Sequence, residues 1–458
     1  MNVRRVRQDF PALSATPTRP APVYLDSACM SLVPTAVLSA MEEYYTEYPG
    51  CAGRSLHRFA ERVGERYEGA RERFARFLGR RDPRGIVFLR NATEALNLVA
   101  QGLPWRKGDR VVISDREHNS NLVVWQRLAA ERGVRIDVVP LPDRGPFDDS
   151  AMDEHLRPGT RLVSLFHTSN LDGSTLPVRA IAERAHDRDA RVMFDGCQAA
   201  PHRAVDLERL GVDFYAVSAH KMLGPTGIGV LAADPGALED LRPLVLGGET
   251  VERTTLAGHV LRPPPYRFEA GLQNYAGVIG ARAAVDYLAS VGLDEVEAQQ
   301  RALNASVSRA LLADPRVHVL GPEEPGERPS IFAFTLDGID PHDAALFLDE
   351  GYGVMVRSGL HCVHSFYAAR GLPGNVRASF YLYNDRSDAE ALVRGVEELL
   401  ERVPGGRFTG TSGATAGSSP RSGPARRRAA GSRGAASRSV PPRRRAGPGR
   451  AASARGSG

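Results

Sequence analysis

The sequence predicts an α/β protein: a large domain on a mostly parallel seven-stranded sheet, followed by a smaller α+β domain. Three observations carry this expectation. Seven short apolar runs alternate with helix-like stretches between residues 85 and 235. The runs are near-continuously apolar, as strands covered on both faces are. The cluster Pro263-Pro264-Pro265 then sets off a second region with its own helices and strands.

In chain order, residues 1–20 form an N-terminal segment that is basic but lacks the apolar core of a signal peptide. The large domain takes residues 21–265, with strands expected at 85–89, 110–114, 135–141, 161–167, 191–195, 214–218 and 228–232. The stretch 94–103 reads as an amphipathic helix, because Leu96, Val99, Ala100 and Leu103 share one face. Residues 266–404 hold connecting helices at 276–291 and 294–312, then the small domain. Its strands are expected at 317–320, 330–336, 354–357 and 377–383, and its helices at 343–350 and 388–402. Ser387 with Glu390 is the expected capping box of the last helix. Residues 405–458 are Gly, Ser, Ala, Pro and Arg with almost no apolar bulk, a composition that cannot bury a core and reads as disordered.

Charge narrows the function classes. The chain of 458 residues has a formal net charge of +5, but its last 54 residues hold 12 arginines and no acidic side chain. Residues 1–404 therefore carry 47 basic against 54 acidic groups, so the folded part is mildly acidic. A nucleic-acid role for the body has no compositional support. No apolar run approaches the roughly 18 residues of a membrane span. Four cysteines, Cys29, Cys51, Cys197 and Cys362, show neither zinc spacing nor a disulfide framework, so a reduced, cytoplasmic protein without a metal site is expected.

In open α/β sheets ligands bind outside the carboxyl ends of the strands. Polar residues gather there: Asn91 and Thr93, Glu117 and His118, Asn170, Asp195, His220 and Lys221. Lys221 follows an apolar strand ending in Ser218, Ala219 and His220, and precedes the turn Gly224-Pro225-Thr226-Gly227. A lysine at the mouth of a sheet, flanked by hydrogen-bonding residues and close-approach glycines, suits an amine that holds an aldehyde cofactor as a Schiff base. The residue types point to pyridoxal 5′-phosphate. Asp195, closing its strand, is the candidate acid for a pyridine nitrogen. His118 offers a flat ring that also moves protons near neutral pH. Asn91-Ala92-Thr93-Glu94 has the polar entry and helix N-terminus that suit a phosphate.

These segments occur in an order that resembles a known family. The runs are Asn91-Ala92-Thr93-Glu94-Ala95-Leu96-Asn97, Glu117-His118-Asn119-Ser120-Asn121, Ser169-Asn170, Asp195-Gly196-Cys197-Gln198-Ala199, the Lys221 segment, Arg267-Phe268-Glu269-Ala270-Gly271, and Arg357-Ser358-Gly359-Leu360-His361-Cys362. From about Phe10 to about Val403 the chain resembles the SufS-like cysteine desulfurases, within the class V aminotransferase superfamily of fold-type I pyridoxal phosphate enzymes. The resemblance implies that Lys221 is the Schiff-base lysine, Asp195 the pyridinium partner and His118 the stacking residue. It implies Gln198 against the cofactor's phenolic oxygen, and Thr93, Ser218 and His220 around its phosphate. Asn170 and Arg377 would receive the substrate carboxylate, and Cys362 would be the nucleophile.

The implied reaction takes L-cysteine to L-alanine and leaves a persulfide on Cys362, for a sulfur-acceptor protein of iron–sulfur cluster assembly. A homodimer is implied too. A thiol of ordinary pKa, about 8.5, is mostly protonated near neutral pH; Arg357, His361 and His364 are the sequence neighbours placed to favour its thiolate. Cys29 and Cys197 read as small buried hydrophobes, while Cys51, in a Gly-rich loop, has no assigned role. Two departures from the family stand out: Leu360 where many relatives have a second histidine, and Leu272 where a threonine commonly reaches the phosphate of the partner subunit's cofactor. The competing readings are a selenocysteine lyase, another C–S lyase or aminotransferase of the same superfamily, and a non-catalytic sulfur-relay scaffold or tail-driven nucleic-acid binder.

Overall fold

A computed structural model describes residues 1–16 and 21–403; the arginine-rich tail lies outside the described residues. The large sheet has seven strands in the order Ile86–Leu89, Gly229–Ala233, Phe214–Ser218, Arg191–Asp195, Thr160–Phe166, Arg110–Ser114, Arg135–Val139. The five from Phe214–Ser218 onward pair in parallel, and Gly229–Ala233 runs antiparallel to both its neighbours. All seven expected strands are present, displaced by at most two residues at an end. Their continuous apolar character has the anticipated cause. Alternate residues of strand Arg110–Ser114, Val112 on one side and Val111 and Ile113 on the other, enter two different cores, so neither face of the sheet meets water.

The chain leaves Arg135–Val139 at the sheet's edge and returns beyond Arg110–Ser114 to form Thr160–Phe166. This reversal of winding direction opens a crevice at the carboxyl ends of the parallel strands. The residues following Ser114, Phe166, Asp195 and Ser218 line it.

Beyond the prolines, helices Tyr275–Val291 and Leu293–Leu311 lead to an antiparallel sheet in the order Val317–Val319, Ile331–Leu336, Asn375–Ser379, Arg357–Gly359. Leu303, Val307, Leu348, Leu392, Val396 and Leu399, from three helices, bury its face in a separate core. Three expectations need correction here. The strand expected at 377–383 lies at Asn375–Ser379, and residues 380–383 turn out of the sheet toward the last helix. The single strand at 354–357 is two short ones: Val354–Met355 pairs in parallel with Val23–Tyr24, and Arg357–Gly359 pairs with Asn375–Ser379. The two pieces serve different partners, which one straight strand does not do. The last helix, Arg386–Arg402, is capped by Asp385 and Asp388 rather than Ser387 and Glu390. Asp385 accepts the backbone N–H groups of Ser387 and Asp388, and its own N–H donates to Asp388 at 3.2 Å. Glu390 instead pairs with Arg386 one turn earlier. Among the described residues no single helix is long and apolar enough to cross a membrane.

Candidate active site

Lys221 ends a single helical turn, Ala219–Lys221, that caps strand Phe214–Ser218 at the sheet's carboxyl edge. The turn is closed by Met222 N–H and Gly224 N–H, both donating to Ala219 C=O. Ser31 braces it from the N-terminal segment, its N–H donating to His220 C=O at 2.8 Å and its Oγ accepting Leu223 N–H at 2.7 Å. Only Lys107 and Lys221 are lysines among the 59 basic residues of the chain. Wherever charge alone is needed the sequence uses arginine. An amine survives where a guanidinium, always protonated, cannot do the chemistry.

Beside the turn stands the N-terminus of helix Ala92–Gly102. Asn91 caps it, and Ala92 N–H donates to Ser218 Oγ at 2.9 Å, which ties the helix to the lysine strand. Gly229 allows this approach: a Cβ there would sit 2.4 Å from the Asn91 backbone. Thr93 and Ser120 hydroxyls meet at 2.8 Å over the same helix end. Hydroxyls, an imidazole from His220 and unpaired backbone N–H groups thus converge as a phosphate requires.

His118 and Asp195 face Lys221. Burial first, then the neighbouring Lys221 ammonium, push the His118 imidazole down to about 4, against the pull of Asp195. The ring is neutral near pH 7. Ser120 N–H donates to its Nδ1 at 3.1 Å, so the proton resides on Nε2. The preceding Glu117 is wholly buried, and burial raises its carboxyl to about 8. It accepts from Ser114 Oγ at 2.6 Å and Asn121 Nδ2 at 2.8 Å, and so fixes the backbone that presents His118. Sequence reasoning saw Glu117 only as a polar strand-end residue. Asp195 accepts Cys197 N–H at 3.0 Å. Gln198 donates to Ala28 C=O at 2.7 Å, while its buried Oε1 has no partner among the described residues.

Across the crevice, Arg377 is completely buried and donates to Asn170 C=O at 2.7 Å and Asp26 Oδ1 at 3.2 Å. Burial lowers its pKa, against the pull of Asp26. Asn170 Nδ2 in turn donates to His361 C=O at 2.7 Å. Cys362, half-buried, has its C=O accepting Asn119 N–H at 2.7 Å, from the residue next to His118. Both His361 and Cys362 adopt left-handed backbone, with φ of 45° and 61°. Such residues cost about 1–3 kcal/mol each and persist only where surrounding contacts hold them. Here Asn119 and Asn170 do so.

Of the three neighbours expected to favour the thiolate, only Arg357 reaches it, with Nη2 3.5 Å from Cys362 Sγ. His361 turns away to Asn375 C=O at 3.2 Å, and His364 Nδ1 accepts Asn119 Nδ2 at 2.6 Å. Cys197 is buried as expected, and desolvation raises its thiol to about 12. Cys29 corrects the other expectation: it is half-buried, because it closes a turn at the crevice rather than filling a core. Of the residues singled out from sequence, the structure brings His118, Asp195, Asn170, Gln198, Ser218, His220, Lys221, Cys362 and Arg377 to one crevice, with Thr93 at its rim. Asp26 and Ser31 join them unforeseen, and Arg357 stands there as expected.

The fold and this site belong to a recognisable class. Residues 23–392 match the family model of class-V aminotransferases, and the chain belongs to that family, among its cysteine desulfurases. It is 40% identical to a probable cysteine desulfurase of Halobacterium salinarum, over 88% of this chain and 97% of the relative. Two solved structures are similar, each at 35% identity. The cysteine desulfurase of Thermococcus onnurineus has a TM-score of 0.83, over 87% of this chain and 98% of that one. The cysteine desulfurase CsdA of Escherichia coli has a TM-score of 0.80, over 88% and 99%.

Proposed function

We propose that the crevice binds pyridoxal 5′-phosphate and L-cysteine, and that Cys362 takes the substrate's sulfur as a persulfide while L-alanine leaves. The observation that supports this reading is the Asn119–Cys362 backbone bond, which ties the Cys362 loop to the residue next to His118. The residues fit the cofactor. Lys221 would hold its aldehyde carbon, Asp195 its ring nitrogen and His118 its ring face. Thr93, Ser218 and His220 would hold its phosphate, and the orphaned Gln198 Oε1 would meet its phenolic group. When bound, the cofactor supplies an electron sink that labilises the substrate's Cα–H and Cβ–S bonds.

The chain's own groups do the rest. Arg377 and Asn170 receive the substrate carboxylate, as a rigid guanidinium fork suits. The Lys221 amine removes the Cα proton. Arg357 favours the Cys362 thiolate, which attacks the substrate's sulfur and leaves it bound as a persulfide. His118, with its proton on Nε2 and its Nδ1 taken by Ser120 N–H, presents a flat, uncharged ring near pH 7. Alanine should form from L-cysteine in step with sulfur added to the Cys362 peptide, and Cys362→Ala should abolish both. Full cysteine turnover by that variant would refute the mechanism. Turnover of selenocysteine alone by the variant would favour the lyase reading.

The persulfide suits delivery to a sulfur-acceptor protein of iron–sulfur cluster assembly. A homodimer is also part of this reading: Leu244, Val245 and Leu272 are exposed together along a groove, the kind of apolar surface a subunit interface covers. Leu272 would there pack rather than contact phosphate. The unpaired cysteines suit a reducing, cytoplasmic location.

A further inference from the structure

Cys29 plays no part in the reaction above, yet it stands in the site. It closes the turn after strand Val23–Tyr24, its N–H donating to Asp26 C=O at 3.0 Å. Every other arm of that turn grips the crevice. Asp26 accepts Arg377, Ala28 C=O accepts Gln198, and Ala28 N–H donates to Ser379 Oγ at 2.9 Å. Arg357 lies directly opposite Arg377 across the paired strands. Its guanidinium touches Cys362 Sγ and also lies within electrostatic reach of the Cys29 thiol. Burial alone would lower the Arg357 pKa, but Cys29, Cys362 and Asp26 together hold it above its ordinary value. The turn that carries Cys29 and the loop that carries Cys362 therefore meet at the Arg357–Arg377 pair, each bearing a half-buried thiol.

We propose that Cys29 is a second sulfur station, receiving the sulfane sulfur from the Cys362 persulfide. The inference rests on the desulfurase reading for its supply of persulfide. The Cys29 thiolate attacks the outer sulfur of Cys362–S–SH. A sulfur–sulfur bond to Cys29 forms as the one to Cys362 breaks, and the electron pair departs on Cys362 Sγ. The proton given up by Cys29 is matched by one taken up at the freed thiol. No oxidant or reductant enters, since one persulfide becomes another. Arg357, whose Nη2 lies 3.5 Å from Cys362 Sγ, stabilises the charge on the leaving sulfur. The result frees Cys362 for another turnover while the first sulfur waits on Cys29.

The test loads the holoenzyme with L-cysteine in the absence of reductant and acceptor, alkylates it, and maps sulfur by peptide mass. Wild-type protein should carry an added sulfur on both the Cys29 and the Cys362 peptides. Its alanine burst should be about twice that of Cys29→Ser or Cys29→Ala, which can store sulfur on Cys362 alone. Cys362→Ser should leave Cys29 bare. Sulfur on Cys362 with an unlabelled Cys29, an unchanged burst in both Cys29 variants, or Cys29 labelled without Cys362 would each overturn the relay. An unlabelled Cys362 in wild-type protein would instead overturn the desulfurase reading on which the relay stands.

Discussion

His361 gives the site a dependence on acid that can be worked out in advance. It is buried beside Cys362, and Nε2 donates to Asn375, while Nδ1 has no partner among the described residues. Burial, then the nearby Arg377 charge, lower its pKa to about 3, outweighing the hydrogen bond to Asn375. In the unfolded chain an imidazole takes its proton near pH 6.5. Above that pH neither state is protonated, and His361 contributes no pH dependence. Below it the unfolded state binds a proton that the folded state refuses, so stability falls as pH falls, until the folded pKa is reached. At pH 5 the loss is about 2 kcal/mol, from 1.36 kcal/mol per pH unit. That figure depends on the unfolded pKa alone, since pH 5 is still well above the folded value. His361→Gln keeps a donor for Asn375 and cannot titrate. Urea unfolding at pH 7 and pH 5 should show wild-type protein losing about 2 kcal/mol more than the variant between the two conditions. The other histidines with lowered pKa, His118, His167, His202 and His220, are common to both proteins and cancel in the difference. Equal losses would show that His361 titrates normally in the folded chain, and the burial argument would be wrong.

Two further substitutions probe the crevice. Arg377→Lys replaces a fork with a point charge and gives up a charged hydrogen bond worth about 1.5–3 kcal/mol, so kcat/KM for L-cysteine should fall about tenfold to a hundredfold; an unchanged value would remove Arg377 from substrate binding. Gly229→Ala forces a methyl group against the Asn91 backbone and should displace the N-terminus of helix Ala92–Gly102. The variant should lose the visible absorption of bound pyridoxal phosphate at cofactor concentrations that saturate the wild type, and full retention would show that the helix end does not hold the phosphate.

Much of the site was legible because its pieces are local. The end of a parallel strand is set by a few consecutive residues, so Asp195, His118 and Lys221 announced themselves by where the apolar runs stopped. One signal went unused: two lysines in an arginine-dominated chain, one of them in the crevice. The histidines around Cys362 misled for the opposite reason. Nearness in sequence at a left-handed turn does not fix direction, and His361 and His364 point to Asn375 and Asn119 instead of the thiol.

The order of apolar and polar residues by itself settled the α/β large domain with its sheet covered on both faces, its strands and the chemistry at their tips, because periodicity and chain stiffness act over a few residues. Tertiary structure alone decided that Asp26 holds Arg377 from 351 positions away, that the stretch after Val354 breaks to serve two sheets, and that the turn carrying Cys29 packs at the crevice. Those contacts depend on which distant surfaces bury one another, and no pattern of neighbouring residues encodes that choice.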